Sequence, residues 1–321
     1  MMTTTRAAAS AASEASLSVL ASGALAVAAV GMAGLTWGAF EARSYTVRRI
    51  DVPILPSGHT DVRVLHISDL HVTPSQRRKL EWIRSLAVEQ PDLVVATGDF
   101  LSHPDAIDPV LSALDPLLRA PGVFVRGSND YFSPKPINPL GYFAGPSRLE
   151  ARRTELPTVR LTEGLARHGW LDLDNARGVL KVAGCDVSFV GVDDPHIGRD
   201  VMPAPAATRG DLHLGVAHAP YRRVLEAFRA DGAELILAGH THGGQVCLPG
   251  WGALVTNCDL DTRRAKGLSG WPGARPDEGG AETTWLHVSA GVGTSPYAPV
   301  RFACRPEVTV LTLRAGERLK A

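Results

Sequence analysis

At 321 residues, 45% of them hydrophobic, the chain holds enough apolar side chains for one large core and carries no long low-complexity tract. Lys plus Arg and Asp plus Glu both number 33. The basic excess that non-specific nucleic-acid binding draws on is therefore missing, and no nucleic-acid partner is expected.

Residues 1–14 read as an N-terminal tail. From Ala15 to Phe40 come 26 residues without a charge, long enough to cross a hydrocarbon core as one helix. The run exceeds the apolar part of a signal peptide, about 7–15 residues, and no twin arginine precedes it. An uncleaved single-pass anchor in the cell membrane over 15–40 is expected. Arg43, Arg48 and Arg49 follow the run while only Arg6 precedes it, which by the positive-inside rule puts the rest of the chain on the cytoplasmic side. Residues 41–61, with Pro53, Pro56 and Gly58, read as a linker and a first strand, residues 62–314 as the folded domain, and 315–321 as a tail.

Within that domain β-type and helical spacing alternate: Val62–Ile67 as a strand, Arg77–Gln90 as a helix, then strands at Leu93–Ala96 and Val123–Arg126 around a helix at Ala106–Leu118. Residues 131–170 break the rhythm with five prolines, the aromatics Tyr142 and Phe143, and Arg148, Arg152 and Arg153. They read as an inserted cap. Later β-like runs at Leu180–Val192, Leu212–Ala217, Ala233–Ala238, Trp285–Ser289 and Val308–Leu313 imply a second sheet, with a helix at Tyr221–Arg229. Residues 267–282, with five glycines, read as an exposed loop. The four cysteines, Cys185, Cys247, Cys258 and Cys304, stand singly without C-x-x-C spacing and read as small apolar side chains.

Five apolar runs end in metal-ligand residue types: Asp69-x-His71, Gly98-Asp99, Gly127-Ser128-Asn129-Asp130, His218-Ala219-Pro220 and Gly239-His240-Thr241-His242. A lone His or Asp after a strand is usually a loop residue; five such clusters in order point to one centre at the strand ends of an α/β sheet. Two ligands two residues apart on extended chain project the same way and share one ion. A carboxylate such as Asp99 can bridge two ions, and mixed imidazole and carboxylate ligation suits Mn, Fe or Zn better than Ca or Mg. The expected chemistry is in-line attack on phosphorus by water acidified between two divalent cations. His59, His66, His103, His168, His196, His213 and His287 read as structural, with His103 and His196 the nearest to exceptions. The acidic pair Asp193-Asp194 reads equally as cleft lining or as a turn.

These motifs resemble the calcineurin-like metallophosphoesterases, and in particular a membrane-associated bacterial branch carrying I-S-D-L-H and G-H-T-H-G-G-Q. Here the motifs are Ile67-Ser68-Asp69-Leu70-His71 and Gly239 through Gln245, with Gly293-Thr294-Ser295 and Arg301 through Glu307 similar to that branch's closing strands. The resemblance implies a four-layer α/β/β/α sandwich of two mixed sheets and a phosphoester substrate. It further implies that Asp69, His71, Asp99 and His242 hold one metal and Asp99, Asn129, His218 and His240 the other. The third motif departs from the family's Gly-Asn-His followed by Asp or Glu. With the glycines aligned, Ser128 takes the ligand position and Asn129 the histidine position; with Asn on Asn, Asn129 is the ligand and Asp130 replaces the histidine in catalysis. The second register is favoured, because an amide oxygen ligates better than a neutral hydroxyl. Beside a phosphate Asp130 would then have to be protonated or turned away, or its role passed to a group such as His103. Two alternatives to a phosphodiesterase are a pyrophosphohydrolase of nucleotide-linked acylated sugars or other lipid-linked phosphates, and a metal-binding membrane scaffold without turnover.

Overall fold

Apolar strands buried on both faces need cover on both sides, and this requirement sets the architecture. The computed structural model describes residues 3–136, 154–207, 209–280 and 282–315, with only the backbone course for 3–21. The first sheet takes β1 (Thr46–Leu55), β2 (Val62–Ile67), β3 (Leu93–Thr97), β4 (Gly122–Val125) and β5 (Leu171–Asp172). The second takes β6 (Arg177–Val182), β7 (Cys185–Gly191), β8 (Leu212–Ala217) and β9 (Leu235–Ala238). A two-residue hairpin pair, β10 (Cys247–Leu248) and β11 (Gly252–Ala253), follows, then β12 (Gly267–Trp271) and β13 (Thr284–Val288) of the second sheet, and β14 (Glu307–Ala315) of the first. The strand orders are β1-β14-β2-β3-β4-β5 and β12-β13-β9-β8-β7-β6. In the first, β2 to β5 run parallel and β14 antiparallel to β2; in the second, β7, β8, β9 and β13 run parallel, with β6 and β12 antiparallel at the edges.

Alternation along each strand sorts the side chains into layers. Val64, Leu93, Val95, Val123 and Val125 face Val187, Phe189, Leu214, Val216 and Leu237 between the sheets. The intervening Leu65, Ile67, Val94 and Phe124 pack outward on α2 (Arg77–Ser85), α3 (Ile107–Leu114) and α5 (Thr158–Ala166). On the far side Val190, Ile236 and Val288 meet Val224, Leu225 and Phe228 of α6 (Arg222–Ala230). The result is the expected four-layer α/β/β/α sandwich of two mixed sheets.

Two readings change. Residues 267–271 form the edge strand β12, paired antiparallel to β13, rather than exposed loop; its glycines and half-buried face hide the alternation that marks an inner strand. Within 131–170, α5 is a layer element with Leu161 and Leu165 fully buried, not part of a cap. Residues 137–153, with the cap's Tyr142, Phe143, Arg148, Arg152 and Arg153, lie outside the described residues. All four cysteines are free and buried.

Helix α1 (Thr3–Glu41) begins before the apolar run, and its stretch Ser22–Glu41 is long and apolar enough to cross a membrane. Among its described residues, the last turn is what meets the domain. Gly38 O accepts the Arg301 N–H at 3.0 Å, and the buried Glu41 carboxylate accepts the N–H groups of Ala303 and Cys304 at 3.1 and 2.7 Å.

Candidate metal centre

The parallel strands β2, β3, β4, β8 and β9 end at one rim, and each delivers its cluster there. Asp69, His71, Asp99, His240 and His242 all have positive φ, between 43° and 68°. Such values are uncommon for residues other than glycine and concentrate where function requires a strained chain. Here they turn the chain back at the strand ends, so that side chains two apart converge. Gly127 allows β4 to approach: a Cβ there would lie 2.3 Å from Asp99 Oδ1 and 2.7 Å from His218 Nε2.

The predicted residues come together. His71 Nε2 lies 3.2 Å from His242 Nε2 and 3.3 Å from Asp99 Oδ2, and His218 Nε2 lies 3.5 Å from the same Asp99 oxygen. His242 Nε2 is 3.6 Å from Asp69 Oδ1. Two trios, Asp69-His71-His242 and Asp69-Asp99-His218, each bring three ligand atoms within 4.8 Å of one another. His240 sits outside these trios with its ring 5.1 Å from that of His218. Asn129 reaches Asp99 with its backbone N–H at 2.8 Å and its side-chain amide at 2.7 Å.

Second partners orient the imidazoles. Carbonyl oxygens of Thr97, Asn257 and Gly293 lie 2.7, 3.1 and 3.2 Å from His218 Nδ1, His240 Nε2 and His242 Nδ1. A carbonyl can only accept, so at His218 a proton sits on Nδ1 and Nε2 is left to take a metal or a second proton, whereas His240 Nε2 and His242 Nδ1 also face the donors Asn257 Nδ2 and Arg301 Nη2, both at 3.3 Å. His218 Nε2 is buried without a hydrogen-bond partner, an arrangement costly unless a cation completes it. This orphaned atom and the facing His71 and His242 nitrogens fit a divalent metal.

Burial raises Asp69 to about 6 and lowers His71 to about 4. Against burial, the carboxylates of Asp99 and Asp194 hold His218 well above the usual histidine range, and His218 in turn brings Asp99 well below the carboxylate range. A proton on His218 would do the electrostatic work of a metal there, and metal binding would release it.

Asp130 is not placed as expected. Its Oδ1 accepts the N–H groups of Phe100 and Leu101 at 2.8 and 3.1 Å, and its Oδ2 those of Asp99 and Gly127 at 2.8 and 3.0 Å. Four donors saturate the carboxylate, so it braces the Asp99 loop instead of facing a substrate. His103 is half-exposed and caps its own turn by accepting Asp105 N–H. His196 is the exception among the remaining histidines: its ring lies 4.5 Å from that of His240. Asp194 serves both readings, since Oδ1 caps the turn at His196 while the buried Oδ2 has no hydrogen-bond partner.

A family model described as calcineurin-like phosphoesterase matches residues 62–244, the span holding all eight predicted site residues. The chain belongs to the calcineurin-like phosphoesterases. It is similar to the phosphodiesterase YaeI of Escherichia coli (30% identity over 78% of this chain and 82% of that protein) and to the uncharacterized metallophosphoesterase YkuE of Bacillus subtilis (26% over 84% and 85%). It is also similar to a bovine transmembrane protein with metallophosphoesterase domain, at 28% identity over 84% of this chain but only 57% of that longer protein. As a calcineurin-like phosphoesterase the chain is a metal-dependent hydrolase of phosphoric esters.

Two supports of this phosphoesterase site were not in the predicted set. Buried Lys79 donates to the carbonyls of Leu70 and His71 at 2.8 and 3.1 Å, and burial lowers it to about 7. Buried Arg301 donates to the carbonyls of Ala290, Gly291 and Gly293 at 2.7, 3.1 and 2.7 Å and touches His242 Nδ1. A lone Lys on a helix carries no signal of this. Arg301 stood in a recognised segment without an assigned role.

Proposed function

We propose that the chain is a membrane-anchored phosphodiesterase with two divalent ions, Mn, Fe or Zn, at the strand rim. One set of ligands is Asp69, His71, Asp99 and His242; the other is Asp99, His218 and His240, with the Ser128-Asn129 turn completing it. The observation that carries this reading is the shared Asp99 Oδ2, within 3.5 Å of imidazole nitrogens from both sets. When bound, the ions neutralise phosphate oxygens and acidify the attacking water.

The residues themselves supply position. Asp130 occupies the fourth place of the third motif as a backbone brace, which supports alignment on the glycine, with Asn129 in the family's histidine position. Its amide, held against Asp99, can hydrogen-bond a phosphate oxygen but cannot protonate a leaving group. Esters with acidic leaving groups should therefore be favoured. The apolar stretch of α1 supports anchoring, and the arginines after it favour the cytoplasmic side.

The test is hydrolysis of bis-p-nitrophenyl phosphate by the full chain, chelated and then supplied with Mn, beside Asp99→Asn and His240→Ala. Metal-dependent turnover lost in Asp99→Asn and strongly reduced in His240→Ala is expected. Full activity in Asp99→Asn would overturn the ligand assignment, and metal binding without turnover of any ester would favour a scaffold.

A further inference from the structure

The end of α1, the segment 300–305 and the β10–β11 hairpin are tied into one unit. Arg301 N–H bonds Gly38 O, Arg305 Nε donates to Ser44 O at 3.0 Å, Cys247 N–H donates to Phe302 O at 2.8 Å, and Phe302 N–H donates to Gln245 O at 3.0 Å. Gln245 Nε2 adds bonds to the carbonyls of Ala298 and Val300 at 3.0 and 3.1 Å. The orientation of the hairpin relative to the apolar helix is therefore fixed.

This unit exposes what a soluble surface avoids. Trp37 and Phe40, on the last turns of α1, are 54% and 63% exposed, and at the hairpin Leu248 and Trp251 are 50% and 81% exposed. Beside the hairpin lies a groove of about 480 Å³ whose walls include Trp37, Phe40, Glu41, Pro249, Phe302 and Arg305. A neighbouring hollow past the hairpin holds Arg263 and Lys266. Tryptophan beside cations, continuous with an apolar helix, is the chemistry of the headgroup boundary of a bilayer.

We propose that this face is seated on the membrane, with Leu248 and Trp251 at headgroup depth and a lipid acyl chain in the groove beside α1. The inference rests on the membrane-anchored reading and deepens it. The hairpin follows His242 by only a few residues, and Arg301 bonds both Gly38 and the carbonyls around His242, so the catalytic rim is held beside the lipid surface. The substrates best placed for it are phosphoesters carried on lipids.

The experiment uses the full chain in nanodiscs containing anionic lipid, with nitroxide labels at Trp251→Cys, Leu248→Cys, Val27→Cys in mid-α1 and Val179→Cys, an exposed site on β6. The unsubstituted chain, whose described cysteines are all buried, gives the background. The ratio of collision rates with oxygen and with a water-soluble nickel chelate should be several-fold higher at 248, 251 and 27 than at 179. A high ratio at 27 with 248 and 251 matching 179 would overturn the seated face and leave the anchor standing. A low ratio at 27 would overturn the anchor, and the seated face with it.

Discussion

His66 and His287 meet Nδ1 to Nδ1 at 2.8 Å, each on the strand face that carries Val64 of β2 or Trp285 of β13 into the apolar layer between the sheets. From His66 Nε2 the contacts continue to Thr97 Oγ1 at 2.9 Å, Ser68 Oγ at 2.7 Å and Asp69 Oδ2 at 2.5 Å. An ionised carboxylate only accepts, so Ser68 donates to Asp69, Thr97 to Ser68, and His66 Nε2–H to Thr97. His66 Nδ1 must then accept, which makes His287 the Nδ1–H tautomer and leaves its buried Nε2 without a partner. Burial keeps both rings neutral, His287 lowered to about 3 and His66 well below its usual value. The chain of donors points at the one oxygen of Asp69 that does not face His242.

Replacing His287 with Phe should therefore free the His66 tautomer and loosen Asp69. Manganese affinity measured by titration calorimetry should fall by about 10-fold, the low end for outer-sphere partners of a ligand. The nitrogen-15 shifts of His66 should move in the same variant. Unchanged affinity together with a shifted His66 tautomer would show that Asp69 does not depend on the relay.

Asp130→Asn separates a brace from a catalyst. The amide nitrogen would confront N–H groups that now bond a carboxylate, and at least two buried donors would lose their acceptor. A destabilisation of about 3 kcal/mol is expected from denaturant unfolding. Residual folded enzyme should keep much of its turnover on p-nitrophenyl esters. Retained stability with a collapse of kcat would restore Asp130 to the chemistry.

The cluster was legible because five strand-end groups of carboxylates and imidazoles, two of them with a two-residue spacing, have few structural reasons to recur in one chain. Asp130 was misread because residue type ranks Asn and Asp as ligands but says nothing of the four N–H groups that converge on one carboxylate. His196 joins His240 only through the packing of two strand-end loops from β7 and β9, which no spacing along the chain encodes. For the same reason β12 was lost: an edge strand with glycines and one wet face carries almost no alternation. The left-handed turns at Asp69, His71, Asp99, His240 and His242 also leave no trace in sequence, since none of these residues is glycine.

The buried charges predict how the chelated protein responds to pH. Burial raises Asp174 and Asp194 to about 7, against an ordinary 3.8. The folded state then holds protons that the unfolded chain has released, so their contribution to stability declines as pH rises toward and through 7. His218, held above 6.5, and Asp130, raised to about 8 by burial, add to that decline above pH 6.5, and Lys79 and Cys304, lowered to about 7 and about 6, offset only part of it. In the other direction, His66, His71, His240, His242 and His287 all have lowered values. The unfolded chain takes up protons at these sites below 6.5 while the folded state does not, and stability falls on acidification. These five outweigh the opposite effect of the four raised carboxyls, Asp69, Asp130, Asp174 and Asp194, in that range. Thermal melting in chelator should therefore peak near pH 6.5, each unmatched proton tilting the curve by about 1.4 kcal/mol per pH unit. Manganese should lift the alkaline limb most, because metal binding would replace the proton on His218 in the folded state. A melting temperature that climbs steadily from pH 6 to 8 without metal would contradict these charge states.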